Sequence, residues 1–158
     1  MPERTILLAV ALALAMAACG GDEEAADVPD PTVRVVDGEL GEHLADYDRM
    51  SLYAFDGDVP GESQCYEDCA EQWPPFAVPD EPSAGDGVDK HRLGTVERED
   101  GLLQVTFDDR PLYHRDRDER PGHARGHGES DVWWLLRPDG EPVEALPDEE
   151  GRGESQRR

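Results

Sequence analysis

Apolar and polar positions alternate in short bursts through the middle of the chain, and the bursts fall into two series. The first runs from TVRVV at 32–36 into the turn signal Asp37-Gly38, continues as a strand over 43–47, turns at Asp48-Arg49-Met50 and ends in SLYAF at 51–55. Period-two alternation between tight turns is the pattern of half-buried antiparallel strands, so this series predicts a small meander. The second series repeats the scheme with LGTVER at 93–98, a turn at Asp100-Gly101, LLQVTF at 102–107, a turn at 108–110 and PLYHR at 111–115. VWWLLR at 132–137, closed by Pro138-Asp139-Gly140, is the most apolar burst and predicts a strand in the middle of the sheet. Between the series, 79–90 is rich in Pro, Gly and Asp and predicts a loop. One short helix is predicted from Ser63 to Gln72, stopped by Trp73-Pro74-Pro75 because the residue before a proline disfavours the helical region. Cys65 and Cys69 lie four apart on that helix and share a face.

The two series carry the same phrase. LYAFDGDVPG at 52–61 and LYHRDRDERPG at 112–122 match at Leu52 and Leu112, Tyr53 and Tyr113, Asp56 and Asp116, and Asp58 and Asp118, each pair sixty positions apart. Two copies are too few for a solenoid, and neither half can bury its apolar face alone. The expected fold is therefore mainly β, with two pseudo-symmetric β-meander repeats (about 32–78 and 93–143) packed as one small domain over 32–146. In a functional reading, the tyrosine hydroxyls and aspartates of the two Tyr-x(4)-Asp copies form paired ligand sites at equivalent loop ends. The structural reading is favoured: a strand ending in Asp-x-Asp before Pro-Gly makes a tight turn, its carboxylates accepting backbone N–H bonds while the tyrosine buries its ring.

The N-terminus adds an address. Ile6 to Ala18 is apolar but too short to span a bilayer, and reads as the core of a signal peptide over 1–18. Met16-Ala17-Ala18-Cys19 resembles a lipobox, which implies that Cys19 is lipidated and that the protein meets a membrane through its N-terminal lipid. Residues 19–31 are acidic and contain proline, as expected of a flexible tether, and 147–158 repeat that character as a tail. Lys90 is the single lysine, and a net charge of −23 makes nucleic acid and anionic membrane surfaces poor partners. Such acidity fits a saline habitat or simply a well-solvated surface.

The chemistry-bearing residues leave alternatives open. Outside the cytoplasm, Cys65 and Cys69 are expected to oxidise together, since helix positions four apart bring their Cα atoms within disulfide range. A competing reading makes Cys65, Cys69 and His114 a Cu(I) site in a copper-handling or electron-transfer accessory protein. The run from Asp56 to Glu67 has Asp, Asp, Gly and Glu at EF-hand positions, but Pro60 occupies a ligand position, so no calcium is expected. His123 and His127 have helical metal spacing, but Gly122, Gly126 and Gly128 argue against a helix there. With no Ser-His-Asp order and no phosphate loop, an enzyme is not expected, nor is a cofactor on the favoured reading.

Taken jointly, the lipobox, the two Tyr-x(4)-Asp copies and CYEDCAEQWPP at 65–75 resemble the secreted-repeat lipoproteins, a bacterial envelope family known by a Yx(FWY)xxD motif. No biochemical activity is established for that family. The resemblance covers about 48–78 and 102–140 and implies that the Cys65–Cys69 pairing is a family feature. It also matches Gly126-His127-Gly128 and Val132-Trp133 to the family's second-repeat loop. The implied protein is anchored by lipid on the extracytoplasmic face of a membrane, with a binding or structural role and an envelope protein as a possible partner.

Overall fold

The structure is a computed structural model and describes Asp30 and residues 32–144. The signal peptide, Cys19, nearly all of the tether and the tail lie outside the described residues.

The chain begins with a hairpin of β1 (Val33–Gly38) and β2 (Gly41–Asp46), paired from Val33↔Asp46 to Gly38↔Gly41. The strand thus runs through the expected Asp37-Gly38 turn, and the chain reverses at Glu39-Leu40, with Gly41 at φ 95°. Gly38 serves a different need. A Cβ there would lie 2.5 Å from the His43 ring and 2.6 Å from the carbonyl of Gly122, so only glycine lets the loop after Pro121 dock on the hairpin.

After β2 come β3 (Tyr53–Phe55), α1 (Asp68–Gln72), β4 (Leu93–Glu97), β5 (Leu103–Phe107), β6 (Arg110–Tyr113) and β7 (Trp133–Leu135). The last five strands form one antiparallel sheet in the order β4-β5-β6-β3-β7, while β1 and β2 form a sheet of two. The fold is mainly β with one short helix. The two meanders are not separate layers: Ser51 and Leu52 pair back onto Ala45 and Leu44 of β2, and β3 itself then pairs with β6 of the second series.

Strand alternation then sorts the core. Leu52, Ala54 and Leu112 enter one apolar cluster with Leu44, Val105 and Phe107, whereas Tyr53 and Tyr113 enter another with Trp73, Trp133 and Leu135. The middle of the sheet is therefore buried on both faces, and each fully buried leucine contributes about 1.5–3 kcal/mol.

Two expectations need correction. β7 lies at the end of the strand order instead of its middle. Its apolar character comes from cross-layer packing, with Trp133 and Leu135 buried in the aromatic cluster. The helix begins at Asp68, so it carries Cys69 but not Cys65. Residues 63–66 make their bonds elsewhere: Arg98 donates to Ser63 Oγ and to the Cys65 carbonyl, which holds this segment against the end of β4. Glu67, at φ 51° and ψ −127°, breaks the path just before the helix. The 79–90 loop is present and runs beside β1, with Val33 bonded to Ser83 and Gly85.

Candidate functional site

The pairing of β3 with β6 sets Tyr53 directly opposite Tyr113. Each ring then reaches across to the other copy of the phrase. Tyr53 donates its hydroxyl to Asp118 Oδ2 at 2.6 Å, and Tyr113 donates to Asp58 Oδ2 at 2.8 Å. The second oxygen of each carboxylate takes a backbone N–H, from Gln64 to Asp58 at 2.7 Å and from Arg125 to Asp118 at 3.1 Å. The carboxylates thus accept backbone amides, but from residues six and seven positions on, beyond the Pro-Gly turns. The crossing of the tyrosines between copies was not legible, because a periodic motif does not say whether its residues bond within a copy or between copies.

Burial governs the electrostatics of the four groups. It holds both phenols well above their usual range, and the nearby carboxylate charges add to that, so both remain donors. Burial also pushes the Asp58 carboxyl up to about 6, against the bonds from Gln64 and Tyr113 that favour its ionised form. Asp118 moves in the same direction for the same reason, opposed first by its bond from Tyr53.

Behind the tyrosines lies an aromatic stack. Trp73 and Trp133 are parallel within 2° at 3.8 Å, and Phe55 extends the stack from Trp133 at 4.4 Å. The Arg115 guanidinium closes the other end, 4.6 Å over Trp73, held by Glu129 and the Gln72 carbonyl. Tyr53 meets Trp73 edge-on at 5.3 Å, and Tyr113 meets Trp133 edge-on at 5.2 Å. Gly126 permits this packing, since a Cβ there would fall 2.4 Å from the Trp73 ring. The two tryptophans were missed as partners, although they too stand sixty positions apart and extending the repeat register past Asp118 would have paired them.

A buried polar chain leads into the Tyr113 half. Arg98 donates to Ser63 Oγ at 2.6 Å, Ser63 is 2.7 Å from the Tyr113 hydroxyl, and Tyr113 donates to Asp58. Arg98 also bonds Gln104 and Asp100, so its buried charge is compensated. Nothing in the local pattern around Arg98 or Ser63 pointed to this chain.

Cys65 and Cys69 form a disulfide with their Cα atoms 5.3 Å apart. Paired in this way, the sulfurs are not thiolate ligands. His114 Nε2 contacts Asp46 Oδ2 at 2.8 Å, and its ring meets Phe76 edge-on. It follows Tyr113 along the chain and so leaves the sheet on the opposite face, away from the cluster that holds Cys65. His123 and His127 are buried in a loop with no helix: Arg120 Nε donates to His123 Nε2, and Leu135 N donates to His127 Nδ1. Of the EF-hand-like run, Asp56 accepts from the Trp134 indole and Asp58 from Tyr113. Among the described residues, no group of three or more His, Cys, Asp or Glu is placed to hold a metal ion.

A family model described as a secreted repeat of unknown function matches the chain twice, at residues 34–77 and 94–137. No curated protein and no solved structure matches it.

Proposed function

Because the chain belongs to the family described as a secreted repeat of unknown function, we propose that it is a non-catalytic binding or structural module, anchored by a lipid on Cys19 at the extracytoplasmic face of a membrane. Its two repeats are related by a pseudo-two-fold axis that passes between Tyr53 and Tyr113. The observation that carries this reading is the reciprocal closure of the motif. Tyr53 binds Asp118 against Trp73, and Tyr113 binds Asp58 against Trp133, which is the same arrangement with the copies exchanged. The two tyrosines that define the repeat thus each join it to its partner copy.

The disulfide supports an address outside the cytoplasm, where thiols oxidise and stay paired. The net charge of −23 favours a surface that repels nucleic acid and anionic headgroups, so contact with the membrane falls to the lipid. Partitioning of the full chain into detergent tests the anchor. Cys19→Ser is expected either to be released and lose partitioning or to keep its apolar signal uncleaved, whereas the parent loses residues 1–18 and gains acyl mass on Cys19, as read by mass spectrometry. A partitioning parent without that acyl mass would overturn the lipid anchor.

A further inference from the structure

Beside the β3–β6 junction lies an open cleft of about 380 Å³, at the lower end of the range of small-molecule sites. Its walls are apolar and stiff: Phe55, Val59 and the prolines Pro60, Pro111 and Pro142. Val59 is 52% exposed at its rim, one of few large apolar side chains left in water among the described residues. The polar lining is Asp56, Asp58 and Arg110.

Two of these three groups are already matched to each other. Asp56 accepts from the Trp134 indole at 2.7 Å and faces the Arg110 guanidinium at 3.5 Å, and Arg110 also reaches the Gly140 carbonyl. Asp58 differs. Both of its bonds come from neutral donors, Tyr113 on one oxygen and Gln64 N on the other, while Arg98 and Arg110 act on it only from beyond contact. A carboxylate offers about four lone-pair sites, so these two bonds leave acceptor capacity beside the cleft. Its counterpart Asp118 makes the equivalent tyrosine and amide bonds but is only 8% exposed, with Gly126 N capping the Tyr53 hydroxyl. One copy of the motif is closed over, and the other opens onto an apolar cleft.

We propose that this cleft binds a small organic cation, a primary ammonium on a short apolar body, with Asp58 as counter-ion and Phe55, Val59 and the prolines as walls. The charge of the lining selects the sign, since two carboxylates face one guanidinium that is already shared. Desolvation of Asp58 without a contacting cation holds its carboxyl at about 6, and an ammonium beside it would supply the missing charge. The inference deepens the binding-module reading and rests on it for the folded domain alone, not for the anchor.

The test titrates the full-length protein with benzylammonium and with benzyl alcohol as its uncharged match, followed by calorimetry or amide chemical shifts. Saturable binding of the amine is expected, with the alcohol about tenfold or more weaker. Asp58→Asn keeps an oxygen for Tyr113 and should lose about tenfold in amine affinity. Val59→Arg, at an exposed position, places a tethered cation by Asp58 and should block the amine without disturbing the fold. Affinity should also fall about tenfold or more between about pH 7.5 and 4.5 as Asp58 protonates. Asp56, Arg110 and Tyr113 face the same carboxylate, with Arg98 behind them through Ser63, and the Asp58→Asn variant separates their contribution. Equal binding of the alcohol, undiminished binding by either folded variant, or no saturable amine binding would overturn the site. Loss of the site leaves the anchored-module reading intact, and failure of the Cys19 test leaves the site intact.

Discussion

At Asp58, burial lifts the carboxyl to about 6 from an unfolded value of 3.8, so folding and protonation are linked. The folded chain holds this proton more tightly than the unfolded chain does. The stability from this group is therefore fully present below 3.8 and is lost as pH rises through about 6. Asp58→Asn cannot titrate, and its urea midpoint relative to the parent should climb between about pH 4 and pH 7. A constant difference across that range would contradict the assignment. His43 works in the opposite sense: burial lowers its value from 6.5, so its contribution is present above 6.5 and lost as pH falls through the folded value. The two tyrosines invite a paired test. Tyr53→Phe and Tyr113→Phe each leave a carboxylate without its hydroxyl donor, buried at Asp118 and half-buried at Asp58, and each should cost about 1–3 kcal/mol in denaturant unfolding. A large loss for one and none for the other would break the equivalence of the copies. The sequence showed that these residues recur, but bonding between copies needed the strand pairing that sets one ring against the other.

Among the elements, the strands were the most legible. Period-two alternation locates both hairpins because it reports local conformation and one buried face, and Asp100-Gly101 marks the second turn, whereas β1 runs through Asp37-Gly38 and turns two residues later. The helix was less so. Its first half dissolves because Ser63 and Cys65 find buried partners on Arg98, a residue more than thirty positions away, and no local propensity registers that competition. Glu67 bears the consequence. At φ 51° and ψ −127° it occupies a conformation that suits glycine, between the two bonded cysteines. Glu67→Gly should therefore stabilise the protein by about 1 kcal/mol in chemical denaturation, relief of strain outweighing the added freedom of the unfolded chain. A destabilised variant would mean that the Glu67 side chain makes a contact worth more than the strain.

Over the whole molecule, a net charge of −23 sets up self-repulsion. Raising salt from about 0.05 to 1 M shortens the screening length severalfold and should raise the thermal midpoint, as followed by circular dichroism. An unchanged or lower midpoint would show that local ion pairs such as Arg115–Glu129 outweigh the general repulsion. The sequence by itself determined the β class, the repeat, the short helix's end at the Trp73-Pro74-Pro75 stop and the membership in a secreted family, because each is written in composition, short-range spacing or periodicity. The tertiary structure alone decided that β3 joins β6, that each tyrosine closes on the other copy's aspartate, that Trp73 stacks on Trp133, and that Asp58 opens onto a cleft where Asp118 is covered. These are relations between residues some sixty positions apart, or between a residue and the space beside it, and they exist only once the packed chain has chosen which of several compatible pairings buries the most.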